Sequence, residues 1–532
     1  MIRSVVLEMN LRIIGPSSGV GFLRLSRTPT LVCSTASNVK RTPVLSTGLL
    51  TGTLPTRTLI FSTNDRSTKF LLRRTFMRAM FRTWMLILYT ICAFALSCLA
   101  ADPPSSLART PPMGWNSWDS YGRGINEDQV RATAKWMSDR LKQHGWQYVV
   151  IDEGWYVTNP QDDPKNYRFA LSSDGRFIPA EDRFPSSRKG AGLKPLADYI
   201  HSLGLKFGIH IIRGIPRQAV KDNASIAGTN FHAVDAADQS DVCPWNDYNY
   251  GVTNAPAGQA YYDSIAKQYA EWEVDFIKAD CIADHPYKPE EIRMIREALD
   301  KTGRPIVLSL SPGPTAPEHA DLVARYSEMW RISDDYWDHW GPWPKHEWSQ
   351  SLYAQFANAA KWAQLRIPPG HWPDADMLPL GYLGPHPGAG DPRKTNFTPD
   401  EQVSMMTLWA MFRSPLIMGG DLLQADEWTT SLLTNPEIIA IDQHSRDNHA
   451  VITSDRSAVW TARPEDSNDY YVAVFNIGDL EQDLKFSWKE LGINATKCNI
   501  RNLWSHEDSK NMKSLSVKLK PHASAVWRVS SK

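Results

Sequence analysis

The sequence predicts an α/β fold, a (β/α)8 TIM barrel followed by a small antiparallel β domain. Between about residues 105 and 445, short apolar runs alternate with helical stretches, the signature of repeated βα units around a parallel sheet. After about residue 445 the pattern changes to the strict alternation of half-buried strands. Polar and charged residues also recur at the C-terminal ends of the apolar runs, the positions at which such barrels carry their active groups.

Eight runs are predicted as barrel strands: Met113–Trp115, Tyr148–Asp152, Lys206–His210, Asp275–Asp280, Pro305–Leu310, Glu328–Ile332, Trp372–Leu378 and Pro415–Met418, with weaker patterns at the first and seventh. The clearest helix runs from Glu127 to His144. Asn126 caps it, Gln129 stands at its third position, Val130, Ala134, Met137 and Leu141 form one apolar stripe, and Gly145 ends it. That stripe reads as core. Similar stretches run from Gly258 to Trp272, Glu290 to Lys301 and Asp400 to Phe412.

Asp152 and Glu153 end the second run, His210 the third, Lys278 and Asp280 the fourth, and Ser309 and Ser311 the fifth. Arg331 and Asp335 follow the sixth, and Asp374 and Asp376 the seventh. A single acid at a strand end is readily a helix cap, but six such ends converging on one rim point to a site. Past residue 445, strands are predicted at Ala458–Ala462, Tyr470–Asn476, Lys485–Trp488, Asn499–Leu503, Ser514–Leu519 and Ala523–Val529. Their acidic residues fall in turns such as Pro464–Asp469, so the expected role of this domain, residues 445–532, is to pack on a barrel of residues 101–444.

The chain has 532 residues, more than one ordinary domain. Residues 1–76 hold eleven Lys or Arg against only Glu8 and Asp65, with no sustained periodicity, so they are set apart from the fold as a non-globular extension. A transit peptide and the upstream translation of a chain starting at Met77 both fit this composition, and the second is preferred. From Met77 a secretory signal peptide, residues 77–100, is expected: Arg78 and Arg82, the 13-residue run Trp84–Leu96, then Cys98-Leu-Ala100. That run is shorter than the about 20 residues needed to span a bilayer. The expectation is cleavage after Ala100, a secreted or periplasmic protein and no stable membrane insertion. Cys98 only weakly resembles a lipoprotein attachment site.

Removing residues 1–100 takes away 13 of 58 basic and 2 of 58 acidic residues, leaving 45 against 56 and a net charge of −11. An acidic chain argues against a nucleic-acid partner and suits a neutral ligand. The 21 tryptophans sharpen this, because aromatic faces pack against the C–H faces of sugar rings, although at least half must be core residues. Of the cysteines beyond the signal, Cys243 with Cys281 would form one bridge in an oxidising compartment, leaving Cys498 free. No His or Cys cluster has metal-ligand spacing. Asp374-Ala-Asp376 and Asp334-Asp335-x-x-Asp338 lack the glycine and further oxygen ligands of a calcium loop, so neither a metal nor another cofactor is expected.

Asp280 and Asp335 lie 55 positions apart and look like a catalytic pair. Breaking a glycosidic bond needs one carboxyl to protonate the leaving oxygen and another to attack or stabilise the sugar cation. Lys278, two residues before Asp280, and Arg331, four before Asp335, are cations placed to hold one carboxylate ionised and to orient the other.

The body resembles glycoside hydrolase family 27, the α-galactosidase and α-N-acetylgalactosaminidase family. The stretches that carry the resemblance are Leu107–Asn116, Ile151–Trp155, Asp182–Pro185 with Leu205–Ile209, Asp275–Asp280, Trp330–Asp335 and Asp374–Met377, covering nearly all of residues 105–445. The resemblance implies a (β/α)8 barrel with a C-terminal β-sandwich. It also implies Asp280 as nucleophile and Asp335 as acid/base of a retaining double displacement, with the neighbouring Asp334 as rival. Lys278, Arg331, Asp152 and Asp376 would bind sugar hydroxyls, and Trp115 would form a wall of the pocket. Retention predicts carboxyl groups about 5–5.5 Å apart.

Three departures bear on substrate. Glu153 stands where family α-galactosidases usually carry a second aspartate, and its extra methylene pushes a carboxylate toward the place of a galactose hydroxymethyl group. A few family members with such a glutamate resemble β-L-arabinopyranosidases, because arabinopyranose is galactose without that group. His210 stands where a tyrosine is common, and Ser309–Pro314 replaces the loop that reads the sugar 2-position, with only Ser311 matching the N-acetylgalactosaminidase pattern. The expected ligand is therefore an oligo- or polysaccharide bearing terminal α-galactoside first, β-L-arabinopyranoside second and N-acetylgalactosaminide third. A non-catalytic sugar-binding protein on this scaffold is the alternative class, disfavoured because both carboxylates and their cations are present. No oligomeric state follows from the sequence.

Overall fold

The computed structural model describes residues 107–342, 349–384 and 391–531. The expected extension 1–76 and signal peptide 77–100, with Cys98, lie outside the described residues. All eight expected strands form: β1 Met113–Asn116, β2 Tyr148–Ile151, β3 Lys206–Ile212, β4 Phe276–Asp280, β5 Val307–Leu310, β6 Met329–Arg331, β7 Trp372–Asp374 and β8 Leu416–Met418. They pair side by side in one parallel sheet, in the order β7-β6-β5-β4-β3-β2-β1-β8. A parallel bridge between Leu378 and Met418 joins the two ends, with Leu378 N donating to Ile417 O at 2.7 Å and Gly419 N to Leu378 O at 3.0 Å. The sheet is thereby a ring.

Helices α1 Glu127–Arg140, α2 Lys194–Ser202, α3 Pro256–Glu271, α4 Pro289–Lys301, α5 Ala320–Tyr326, α6 Leu352–Trp362 and α7 Pro399–Phe412 follow the first seven strands in turn, and α8 Glu427–Thr434 and α9 Pro436–Gln443 follow β8. The Asn126 cap is present: its side chain accepts from Gln129 N at 3.0 Å, while Gln129 Oε1 accepts from Asn126 N at 3.1 Å. Val130, Ala134, Met137 and Leu141 are fully buried, and the chain leaves the helix through a tight turn that Gly145 ends at φ +95°.

Strand alternation sets both the core and the site. Tyr148, Val150, Phe276, Val307, Met329 and Trp372 point into the barrel and pack with Ala108 as its floor. Gly208 leaves room for them, since a Cβ there would stand 2.9 Å from Val150 Cγ2 and 3.0 Å from Phe276 Cβ. The intervening residues Val149, Ile151, Ile277, Leu308, Leu310 and Trp330 face the helices. Two residues further along, the inward positions are held by Asp152, His210, Lys278, Ser309, Arg331 and Asp374, and two further still by Asp280, Ser311 and Asp376. The same period of two that builds an apolar floor thus builds a polar ceiling.

Between β3 and α3 the chain adds a three-stranded antiparallel sheet that the sequence pattern does not announce. Its hairpin, Ala237–Cys243 with Asn246–Val252, turns through Pro244 and Trp245, and Ile215–Pro216 pairs along its edge. From Ser445 the chain is antiparallel: β9 Ser445–Thr453, β10 Ser457–Pro464, β11 Tyr470–Asn476, β12 Gln482–Ser487, β13 Cys498–Asn502, β14 Asp508–Met512, β15 Ser514–Leu519 and β16 Ser524–Ser531. Six of these form one sheet, β9-β10-β11-β16-β13-β14, and β12 pairs with β15. Val459, Val472 and Val474 enter the core between the two sheets, with Trp488, Leu515 and Trp527. Their neighbours Ala458, Trp460, Ala473 and Phe475 point the other way, into the barrel's own core, where Phe475 meets Phe356 of α6 edge-on at 5.0 Å. One sheet is therefore buried on both faces.

Candidate active site

The strand ends and their loops enclose a cavity of about 410 Å³, a size suited to a small ligand. Asp152, Glu153, Lys278, Asp280, Ser311, Arg331, Asp335 and Asp376 all line it, eight expected residues from five strand ends.

At its base, Lys278 Nζ lies 2.8 Å from Asp152 Oδ2, which also accepts from Asn116 Nδ2 at 2.7 Å. Burial opposes ionisation of Asp152, but Lys278 and His210 outweigh it and hold the carboxyl well below the usual range. Lys278, expected to serve Asp280, thus makes its close contact with Asp152. The direct partner of Asp280 is His210, whose Nε2 lies 3.1 Å from Asp280 Oδ2, while Asp280 Oδ1 accepts from Cys281 N at 2.7 Å. Burial alone would raise the Asp280 carboxyl; the His210 contact, with Lys278 behind it, lowers it, so it is an anion poised at the cavity wall.

Arg331 Nη2 lies 2.6 Å from Asp376 Oδ2 and 3.3 Å from Asp335 Oδ1. Asp376 is also tied down by backbone donors from Tyr336 and Met377, each at 2.8 Å. Below it, burial and the adjacent Asp376 push the Asp374 carboxyl up to about 7. Exposure rises outward: the side chains of Asp152 and Asp376 are 3% and 4% exposed, that of Asp280 is 20% and that of Asp335 is 48%. Asp335 therefore marks the mouth. Its neighbour Asp334 turns to His285, with Oδ1 3.6 Å from Nε2.

Glu153 is held from two sides, by Arg123 Nη2 at 2.6 Å and by Asn246 Nδ2 at 2.5 Å. Asn246 opens the second strand of the hairpin, and Cys243 at the end of the first is joined to Cys281 by a disulfide with a Cα–Cα distance of 6.1 Å. The third cysteine beyond residue 107, Cys498, is free and buried in the β-sandwich. Asp338, a potential calcium ligand by spacing, instead accepts from Arg393 Nη2 at 2.6 Å and from Asn396 N at 2.8 Å.

Two expectations need correction. Trp115 is no cavity wall: it is fully buried, and its indole donates to Gly420 O at 2.9 Å. Inward positions in β1 are Gly114 and Asn116, so Trp115 faces the helices; Trp118, in the first turn after β1, lines the cavity instead. His210 is buried beneath the cavity surface and meets Asp280 rather than the open space. Sequence reasoning also missed Arg123, Asp119, Trp245, His285, Tyr336 and Trp337, all in the lining. Asp119 and Arg123 sit on short helical turns after β1 and the others on loops or turns, with no strand period to aim them. Asp119 is notable among them, a buried carboxyl pushed well above its ordinary value by burial and by Asp376.

A family model described as "Alpha galactosidase A" matches residues 110–219 and 245–444, and one described as "Alpha galactosidase C-terminal beta sandwich domain" matches residues 454–529. Among curated relatives, α-galactosidase 3 of Arabidopsis thaliana is 31% identical over 413 residues, covering 76% of this chain and 77% of the relative. α-Galactosidase A of Cellvibrio japonicus is 28% identical over 450 residues, 81% of this chain and 94% of the relative. Among solved structures, a family 27 β-L-arabinopyranosidase from Geobacillus stearothermophilus superposes with a TM-score of 0.75 at 47% identity, covering 80% of this chain and 97% of the other. With barrel, sandwich and carboxylate-lined cavity in these positions, the chain belongs to glycoside hydrolase family 27, the α-galactosidase family.

Proposed function

We propose that the protein is a retaining glycosidase that removes terminal α-linked D-galactopyranosyl groups from oligo- or polysaccharides. The observation that carries this reading is the placement of an anionic Asp280 and a half-exposed Asp335 on one cavity whose base is closed by paired charges. A closed base admits the end of a sugar chain and not its middle. The Lys278–Asp152 and Arg331–Asp376 pairs offer donors and acceptors to the hydroxyls of a single ring there.

In the first half-reaction a carboxylate oxygen of Asp280 attacks C1, the C1–O bond breaks, and Asp335 gives its proton to the departing oxygen. In the second, the Asp335 carboxylate takes a proton from water, whose oxygen attacks C1 and breaks the Asp280 ester. Two displacements restore the original anomeric configuration.

A second reading, preference for β-L-arabinopyranosides, is favoured by Glu153, whose carboxylate lines the cavity clamped between Arg123 and Asn246. The 47% identity to the Geobacillus β-L-arabinopyranosidase supports it too. The deciding experiment is hydrolysis of p-nitrophenyl α-D-galactopyranoside and β-L-arabinopyranoside, compared as kcat/KM, with the first-formed anomer followed by NMR. Release of α-galactose, at a rate equal to or above that of arabinose, is the expected result. A preference for the arabinopyranoside beyond about tenfold would establish the second reading, and release from neither would end both.

The protein acts outside the cytoplasm on this reading, after cleavage behind Ala100; the disulfide beside Asp280 supports it, because such bonds persist in oxidising compartments. N-terminal sequencing of the exported protein should begin at Ala101. An exported, active protein that retains Met77 would contradict it.

A further inference from the structure

Trp245 is 45% exposed, lies outside the hydrophobic cores of the described residues, and yet is placed by unusually firm anchors. It is the second residue of a two-residue hairpin turn, between strands ending at Cys243 and starting at Asn246. On one side the Cys243–Cys281 disulfide ties the turn to the residue next to Asp280, and on the other Asn246 is bonded to Glu153. Its ring meets His285 edge-on at 5.3 Å, and His285 in turn faces Asp334, the neighbour of Asp335.

Leaving a large indole in water forgoes the stabilisation that its burial would bring, so an exposed one held this firmly calls for a ligand. The family model stops at residue 219 and resumes at 245, so the whole of the hairpin's first strand, Ala237–Cys243, falls between the two matched stretches, and Trp245 opens the second. The cavity deepens from Asp335 toward Asp152, which places the terminal sugar at the base and the leaving group at the mouth, where Asp335 must reach its oxygen. Trp245, His285 and Asp334 occupy that mouth.

We infer that Trp245 is the platform of a subsite for the leaving-group sugar, its indole face taking the C–H face of a pyranose ring while His285 and Asp334 offer polar contacts to that ring's hydroxyls. The inference rests on the reading of the cavity as a glycosidase site, and it names the substrate as a saccharide of two or more rings rather than a simple alkyl glycoside. Trp245 is pre-organised by its two anchors, so little ordering entropy is lost when the ring arrives.

The test compares α-D-galactopyranosyl fluoride, whose leaving group has no ring, with the α-1,6-linked disaccharide of galactose and glucose. For Trp245→Ala, KM on the disaccharide is expected to rise about tenfold, with kcat changed less. The loss on the fluoride should be at least about tenfold smaller than that in kcat/KM on the disaccharide. Trp245→Phe should restore most of the disaccharide affinity, which a variant that merely disturbed the hairpin would not do. Equal losses on both substrates would make Trp245 a roof over the terminal sugar and overturn the inference. No loss on either would overturn it as well. Should the unaltered protein fail to turn over the fluoride, the α-galactosidase reading falls, and this subsite for a galactoside's leaving group with it.

Discussion

Replacing Asp280 with glycine is expected to lower kcat by about 10⁴-fold or more, the scale seen when one member of a catalytic unit is removed. Added azide should restore turnover with the opposite stereochemistry. Without its carboxylate the first displacement has no internal nucleophile. The void left behind admits azide to the same face of C1, and a single displacement then converts an α-galactoside into β-galactosyl azide. A product of unchanged configuration, or turnover within about tenfold of the parent, would remove Asp280 as nucleophile. The pH profile carries a linked expectation. Burial would raise the Asp280 carboxyl, but His210 and Lys278 depress it, so it remains ionised as pH falls through the ordinary carboxylate range and the acidic limb of kcat/KM lies below that range. His210→Phe removes the contact at Nε2 and should move that limb to higher pH, measured on the same substrate.

The rate at which the site was legible in sequence follows how each residue is positioned. Asp152, Lys278, Asp280, Arg331 and Asp376 sit at strand ends, where a period of two carries each side chain from a recognisable apolar run onto the barrel axis. Spacing alone could not choose partners. Lys278 and Asp280 are two residues apart and share a face, but the ring places β3 beside β4 and β2 beyond β3, so Asp280 reaches His210 on the adjacent strand and Lys278 reaches across it to Asp152. Trp115 and Trp118 are equally plausible cavity walls as letters in a row, and only the pleat of β1, with Gly114 and Asn116 inward, separates them.

Loop-borne residues had no such guide. Asn246 fixes Glu153 across 93 positions of chain, and the hairpin that delivers it begins with a strand, Ala237–Cys243, rich in polar residues and mostly half-buried, with no apolar alternation to announce it. In the C-terminal domain the strands Tyr470–Asn476 and Ser514–Leu519 were readable with the bounds they take, although the first is buried on both faces rather than half-buried. Ser445–Thr453 and Asp508–Met512 were not, because they close the two edges of the six-stranded sheet with largely exposed polar side chains. Helices α2, α5 and α6 escaped for the related reason that each is short and depends on tertiary packing for stability.

Asp335→Ala is expected to cost about 10²–10⁴-fold in turnover of a disaccharide, and far less in the first step on an aryl glycoside. A sugar alkoxide leaves poorly unless protonated, whereas a nitrophenolate departs without help, so loss of the acid separates the two substrates at the first displacement. Loss of the base then slows the second displacement for both, and the glycosyl ester on Asp280 accumulates. A pre-steady-state burst of nitrophenol should appear, followed by slow turnover. Azide needs no base, so it should accelerate that turnover and yield α-galactosyl azide, the anomer opposite to that from Asp280→Gly. The paired outcome is stringent, since each carboxylate is assigned by the stereochemistry its absence permits. Asp334 is the internal control. It lies beside Asp335 but faces His285 at the mouth, and burial raises its carboxyl, whereas Asp335 is the one within reach of Arg331. Asp334→Ala should show no burst on the aryl glycoside and yield no α-galactosyl azide. If it is Asp334→Ala that bursts and gives α-galactosyl azide, the acid/base belongs to Asp334, and the spacing from Arg331 that selects Asp335 is not the feature that places the proton.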